Sequence, residues 1–287
     1  MQLWNNDIEI CFFEKALNGF AAKEKLFYKI NECFYAYAPK GCSNEGQTLQ
    51  SRNKLIGEFT EKWCKELIEP IAKKHSLFAV NGVVCEELGL TKQSPADLAI
   101  CTEDSTEQKP EKIKLIFEIK MSIVSNYKYN EGSIECVGDY TTHKGNPSLL
   151  RSDSMLKAIG KSVNIRVSGN KSATIPIVIL GNSPITSNYE EKVDHLTQTG
   201  VIQRFISINP NPTEKEFMKE TNNEGFVTPK NYSELETICD DILTNDYFYF
   251  SGNKNKKELG EIILTASKEK SEIECATKFL ELIKTNR

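Results

Sequence analysis

The sequence has no long hydrophobic run and no leader-like start. Its longest mainly apolar runs, residues 77–84 and 175–180, are far shorter than the roughly 20 residues that a membrane-spanning helix needs. The first residues include Asp7, Glu9 and Glu14 and lack the basic region followed by an apolar stretch that marks a signal peptide. We therefore expect a protein without a membrane partner, located in the cytoplasm.

Cysteine and histidine are also not arranged as metal ligands. The nine cysteines are scattered from Cys11 to Cys275, without a CxxC pair, and only three histidines are present. An odd number of scattered cysteines is typical of a reducing compartment and argues against structural zinc. The sequence also lacks Walker A, GxGxxG and GxSxG patterns, so we expect neither a nucleotide cofactor nor an α/β-hydrolase.

Positive charge gathers in one part of an acidic chain. The net charge of −4 and the pI near 5.7 argue against non-specific coating of nucleic acid, but they leave room for a local basic groove. Residues 144–171 carry an excess of lysine and arginine, which is also compatible with a solvated helix face and a loop. Within this segment we expect Arg166 and Lys171 to be solvated in a loop.

Helical and strand patterns alternate along the chain. Apolar residues recur every four positions from Leu55 to Ile71 and predict a helix. Residues 112–124, KIKLIFEIKMSIV, form the strongest strand pattern. The pair Asn81-Gly82 indicates a turn next to a first strand. Further strands are predicted at 77–84, 97–101, 175–180 and 201–208, and further helices at 152–163, 189–198, 233–243 and 257–284. This order predicts a mixed α/β fold with a central mixed sheet flanked by helices.

The length and the absence of repeats favour one principal domain over residues 1–287. Its core is expected at about 54–208. An N-terminal helical segment, residues 1–50, and a C-terminal segment, residues 209–287, are expected as additions to that core. In the first of these, residues 8–38 carry apolar side chains at helical spacing and predict one or two helices.

Two short motifs contain the candidate catalytic residues. Pro95-Ala96-Asp97 begins one predicted strand, and Glu118-Ile119-Lys120 lies in the next. Because alternate strand residues share a face, Glu118 and Lys120 point together while Ile119 faces the opposite side. If the two strands form a hairpin, Asp97 joins them, and two carboxylates then make an oxygen site of the kind that Mg²⁺ prefers.

In these motifs the chain resembles the PD-(D/E)XK nuclease superfamily, most closely a type II restriction endonuclease. Pro95, Asp97, Glu118 and Lys120 match the PxD and ExK form of its pattern, and the predicted elements follow its αβββαβ order. The resemblance covers about residues 54–208. It implies a restriction-endonuclease-like core that hydrolyses double-stranded DNA.

The resemblance also implies roles for individual residues. One or two Mg²⁺ ions would be held by Asp97, Glu118 and the backbone carbonyl of Ile119, and Lys120 would position the attacking water. Many members place a further glutamate on the preceding helix; here Glu61 is the first choice and Glu58 remains open. A homodimer is expected, because two equivalent sites can each cut one strand of a palindromic duplex, and a tetramer is equally compatible with the sequence. The candidate phosphate contacts are Lys144, Arg151, Lys157 and Lys161.

Two other interpretations stay open at this stage. The same metal site would serve a repair, structure-specific or RNA-acting nuclease. A non-catalytic DNA-binding protein of the same fold would share the strand pattern without turnover. Charged strand residues are common, so Asp97 could simply start a strand while Glu118 and Lys120 form a solvated stripe.

Overall fold

The computed structural model describes residues 1–19, 21–42, 49–249 and 255–285, and helices alternate with strands along it. The helices are α1 (Asn6–Asn18), α2 (Lys23–Leu26), α3 (Gln50–Lys74), α4 (Ser152–Val167), α5 (Glu190–Gln198), α6 (Tyr232–Thr244), α7 (Lys256–Ala266) and α8 (Glu272–Thr285). The strands are β1 (Tyr28–Ile30), β2 (Cys33–Tyr35), β3 (Phe78–Val83), β4 (Ala96–Cys101), β5 (Ile113–Lys120), β6 (Asn126–Asn130), β7 (Ser133–Gly138), β8 (Ile177–Gly181), β9 (Arg204–Ser207) and β10 (Phe226–Val227).

A six-stranded mixed sheet forms the centre of the first compact unit, Met1–Tyr249. Its strand order is β10-β9-β8-β5-β4-β3. The pairs β3-β4 and β4-β5 are antiparallel, whereas the pairs β5-β8, β8-β9 and β9-β10 are parallel. The mixed α/β class with a central mixed sheet is therefore confirmed.

Two apolar cores cover the two faces of this sheet. Leu98, Leu115 and Phe117 belong to one core, together with residues of α1, α3 and α6. Ala99 and Ile116, their neighbours along the strands, belong to the other core, together with residues of α4 and α5. Because successive strand residues alternate between faces, the position of a side chain along β4 or β5 decides which helices it can meet.

A second sheet joins two strands of the N-terminal addition, β1 and β2, to β6 and β7, and it corrects the helical prediction for residues 8–38. Its order is β1-β2-β6-β7, and all its pairs are antiparallel. The hairpin β1-β2 turns through Asn31 and Glu32, both at positive φ, so the turn lacks the glycine that usually signals it. Residue 20 and residues 43–48 of the predicted segment 1–50 lie outside the described residues.

The turn expected at Asn81-Gly82 is wrong, because β3 continues through it. Asn81 pairs with Leu98, and Val83 pairs with Ala96. Gly82 adopts a φ of +65° inside the strand, a conformation that glycine reaches without steric cost. Since its neighbours pair on both sides, Gly82 lies opposite Asp97.

Arg166 is buried inside α4 rather than solvated in a loop, which corrects the sequence prediction. Its Nε donates to the Val201 carbonyl at 3.1 Å, and one terminal nitrogen, Nη1, donates to the carbonyls of Ser172 and Ile175 at 2.5 and 2.8 Å. Another terminal nitrogen donates to Gln203 Oε1 at 3.0 Å. Burial lowers the pKa of Arg166 to about 10. The guanidinium group therefore links α4 to the segments that lead into β8 and β9.

Replacing Arg166 with methionine should lower the free energy of unfolding by about 3 kcal/mol, because several buried acceptors would lose a charged donor. Chemical denaturation measures this loss. Lys157→Met is the matched control on the same helix, since its side chain is 76% exposed, and we expect it to change stability by less than about 0.5 kcal/mol. Equal effects of the two substitutions would contradict the structural role of Arg166.

Glu9 on α1 is a buried carboxyl group that joins the helix to the segment after β5. It accepts hydrogen bonds from Trp4 Nε1 at 2.8 Å and from the backbone nitrogens of Val124 and Ser125 at 2.7 and 3.1 Å. Burial outweighs these hydrogen bonds and raises the pKa of Glu9 to about 7. The folded protein therefore holds this proton more tightly than the unfolded chain, whose ordinary value is 4.5.

The raised pKa of Glu9 decides whether its contribution to stability grows or falls with pH. The contribution of Glu9 to stability is fully present below pH 4.5 and is lost as the pH rises through about 7, a loss of about 3 kcal/mol. Glu9→Gln should remove this component from the difference in unfolding free energy between pH 5 and pH 8. The exposed Glu14→Gln on the same helix is the control. If Glu9→Gln leaves that difference unchanged, Glu9 does not titrate in this window.

The second compact unit, Phe250–Arg287, holds the helices α7 and α8. The prediction of one helix at 257–284 is wrong, because the polar sequence Lys268-Glu269-Lys270 interrupts it and Ser271 caps α8 by accepting from the Glu274 nitrogen at 3.2 Å. The prediction of one nuclease domain over residues 1–287 stays a prediction. Within the described ranges, no helix combines the length and the apolar character that a membrane crossing requires.

Candidate active site

The candidate site forms where β4 and β5 stop pairing. Their last paired residues toward this end are Leu98 and Phe117. Beyond them, Asp97 Oδ2 accepts a hydrogen bond from the Ile119 backbone nitrogen at 2.7 Å. The aspartate side chain thus replaces a partner that the strand ladder would otherwise supply, and this brings its carboxylate beside the ExK motif.

Strand alternation places Glu118 and Lys120 together, as the sequence predicts. Ile119 belongs to the core that contains α3, so its neighbours on β5 face the opposite side. Glu118 is 5% exposed, and its Oε1 accepts from Lys120 Nζ at 2.5 Å. Burial, followed by the negative charge of Asp97, raises the pKa of Glu118. The solvated-stripe interpretation is therefore wrong for Glu118.

Three oxygen atoms converge on the ammonium group of Lys120. Its Nζ lies 2.5 Å from Glu118 Oε1, 3.1 Å from the Ile119 carbonyl oxygen and 3.6 Å from Asp97 Oδ2. These are the three groups that the sequence predicts as metal ligands. The structure thus brings them around one cationic position.

Lys161 also enters the site, from the helix α4. Its Nζ lies 3.1 Å from Asp97 Oδ1 and 2.6 Å from Glu118 Oε2. Burial lowers the pKa of Lys161, but attraction to Asp97 and Glu118 outweighs it and raises the pKa above its ordinary value. The sequence predicts Lys161 only as a phosphate contact. Its place three residues after Ala158 and four before Ile165, which are both buried, is the signal that it lies beside the buried stripe of α4.

Glu61 is the better of the two glutamates proposed on α3. It is half-buried; burial, and then the charge of Asp97, raise its pKa. Lys161 and Lys120 act on it in the opposite direction, so Glu61 lies within the electrostatic field of the site. Glu58 is exposed and lies 3.8 Å from Lys54. Glu61 is therefore placed to interact with the site, whereas Glu58 pairs along its own helix.

A network of polar groups holds the end of β5 that carries Lys120. The Ser148 hydroxyl donates to the Lys120 carbonyl and accepts from the Asn182 backbone nitrogen at 3.0 Å. The Asn182 side chain donates to the Ser122 carbonyl at 2.7 Å. Ser148 is buried and has a φ of +50°. These contacts fix the backbone of Lys120 against the end of β8, and no motif in the sequence indicated them.

The other proposed phosphate contacts are exposed side chains, and their partners are Cys42 and Asp153. Lys144 Nζ donates to the Cys42 carbonyl at 2.6 Å. Arg151 makes two hydrogen bonds to Asp153, at 3.0 and 2.9 Å. Lys157 is 76% exposed and lies 3.9 Å from the same aspartate. All three side chains are exposed enough to meet a ligand in solution.

The donor set fits a hard divalent cation but is small. In the described part of the chain, no group of three or more His, Cys, Asp and Glu side chains is placed to hold a metal ion. The set at this site is two carboxylates, Asp97 and Glu118, and the Ile119 carbonyl. Mg²⁺ is commonly held by one or two carboxylates and keeps several waters, so the residues present suffice for it.

A cavity of about 1080 Å³ lies elsewhere, between β7 and the segment 211–219. Its lining includes Asp139, Lys215 and Lys219, whereas the four charged residues of the candidate site do not line it.

Comparison of the chain with protein-family models, with curated proteins and with solved structures finds no match.

Proposed function

We propose that the protein is a Mg²⁺-dependent nuclease whose active site consists of Asp97, Glu118 and Lys120. The observation that carries the proposal is the convergence of two carboxylates and the Ile119 carbonyl on one cationic position. The element order supports it, since α3, β3, β4, β5, α4 and β8 follow one another as in the αβββαβ core of the PD-(D/E)XK nucleases, although a β-hairpin, β6-β7, is inserted before α4. A restriction-endonuclease-like core is part of the proposal.

The proposed roles follow from the contacts. Asp97, Glu118 and the Ile119 carbonyl would hold Mg²⁺, and Glu61 would act on it through water. When bound, the ion lowers the pKa of coordinated water and offsets charge that builds on the phosphate. Lys120, fixed by its backbone network, would orient the attacking water and stabilise the scissile phosphate.

The proposed substrate is double-stranded DNA, and the proposed class is a type II restriction endonuclease that acts as a homodimer in the cytoplasm. Lys144, Arg151 and Lys157 would contact phosphates, since exposed basic side chains position a protein on DNA without reading its sequence. The resemblance of the PxD and ExK motifs supports this class.

Digestion of unmethylated phage DNA tests the proposal and its class together. The purified protein is incubated with Mg²⁺ or with EDTA, beside the Asp97→Ala and Lys120→Ala variants. We expect discrete fragments that require Mg²⁺ and that neither variant produces. A smear or nicks alone would overturn the restriction class and favour another nuclease of this fold. DNA binding without any cleavage would overturn the enzymatic function.

A further inference from the structure

The two carboxylates of the candidate site are bridged twice. Lys120 Nζ lies 2.5 Å from Glu118 Oε1 and 3.6 Å from Asp97 Oδ2. Lys161 Nζ lies 2.6 Å from Glu118 Oε2 and 3.1 Å from Asp97 Oδ1. Each carboxylate therefore offers one oxygen to each ammonium group, and the pair of carboxylates defines two neighbouring cationic positions.

The two positions differ in what surrounds them. The Ile119 carbonyl lies 3.1 Å from Lys120 Nζ and adds a neutral oxygen to that position, which matches the mixed carboxylate and carbonyl set that Mg²⁺ takes. Lys161 contacts the carboxylates of Asp97 and Glu118. The Lys120 position is thus the one at which a divalent ion would replace an ammonium group.

Packing holds Lys161 in place more firmly than an exposed lysine. Its side chain is only 18% exposed. Ala158 and Ile165 on the same helix are buried in the core that covers the α4 and α5 face of the sheet. Lys157, one turn earlier, is 76% exposed and has no such constraint. Lys161 therefore cannot leave the carboxylates as readily as a side chain in solvent can.

We propose that Lys161 takes the place of a second metal ion, so that each active site holds a single divalent cation. This inference rests on the proposed function. Charge supports it: two divalent ions together with Lys120 and Lys161 would bring six positive charges beside the three carboxylates Asp97, Glu118 and Glu61. In a partly buried site such an excess is poorly screened. One divalent ion leaves a charge that a phosphate can balance.

Calorimetric titration of the full chain with Mn²⁺, in the absence of DNA, tests this without any reading of activity. The native protein should bind one ion per chain at the site. Lys161→Met keeps the bulk of the side chain but removes its charge, and it should bind two ions, with the first bound about tenfold more tightly. Lys161→Arg, which keeps the charge, and Lys157→Met, which alters an exposed lysine of the same helix, should each still bind one.

Asp97→Ala identifies the ions counted, because it should abolish binding at this site. Two ions in the native protein, both lost in Asp97→Ala, would overturn the role of Lys161 and leave the proposed function standing. One ion in both the native protein and Lys161→Met would do the same. If Asp97→Ala binds as many ions as the native protein, the result would overturn the inference together with the metal site. If Lys161→Met does not fold, Lys161→Gln, which also removes the charge, takes its place and should bind two ions.

Discussion

Replacing Asp97 with asparagine is expected to lower the rate of Mg²⁺-dependent DNA cleavage by about 10³-fold or more. Asparagine keeps the shape of the side chain, and its oxygen can still accept the hydrogen bond from the Ile119 nitrogen that is 2.7 Å long in the native protein. The substitution removes the negative charge and puts an amide nitrogen in place of the oxygen that accepts from Lys161 Nζ at 3.1 Å. The initial rate of cleavage at saturating Mg²⁺ measures the effect on the chemistry.

The matched control for this substitution is Asp104→Asn, an exposed aspartate in the connection after β4. It makes the same chemical change outside the site and should leave the rate unchanged within about twofold. Calorimetric binding of Mn²⁺ should be lost in Asp97→Asn and kept in Asp104→Asn. Native cleavage rates in Asp97→Asn would show that this carboxylate takes no part in hydrolysis.

Replacing Lys120 with methionine is expected to separate metal binding from cleavage. The Lys120 ammonium group competes with a divalent ion for Glu118 Oε1 and the Ile119 oxygen, which lie 2.5 and 3.1 Å from its Nζ. Its removal should tighten Mn²⁺ binding by about tenfold. The cleavage rate should nevertheless fall by about 10²- to 10³-fold, because the group that orients water and stabilises the phosphate is missing.

Lys114→Met provides the control on the same strand, because Lys114 is exposed and lies away from the carboxylates. It should change neither the affinity for Mn²⁺ nor the rate. Weaker Mn²⁺ binding in Lys120→Met would contradict the placement of the ion where Lys120 now lies. Tighter binding with an unchanged rate would instead remove Lys120 from the chemistry.

The site residues of β4 and β5 could be predicted because strand geometry is regular. Residues two apart on one strand have side chains on the same face, so the sequence alone placed Glu118 beside Lys120. The expected hairpin between the two consecutive strands added Asp97 to the site. Lys161 could not be assigned in the same way. It lies 41 residues after Lys120 in the sequence, and only the packing of α4 on the sheet shows that it turns toward Asp97 and Glu118.

The second sheet escaped prediction for a different reason. β2 pairs with β6, so two short segments far apart in sequence complete each other, and neither carries a pattern long enough to predict a strand alone. Arg166 escaped because its partners are mostly backbone carbonyls, which leave no mark in the sequence. By contrast, the positions of β3, β4, β5, β8 and β9 along the chain followed from local apolar patterns, whereas the short β10 was not predicted.

Incubation of supercoiled plasmid DNA with the purified protein and either Mg²⁺ or EDTA tests the central claim most directly. The proposed site predicts that linear DNA forms only with Mg²⁺, and that Asp97→Asn, with native thermal stability, leaves the plasmid supercoiled. Plasmid that stays intact with the native protein at every Mg²⁺ concentration, or that Asp97→Asn cuts at the native rate, would contradict a nuclease site at Asp97, Glu118 and Lys120.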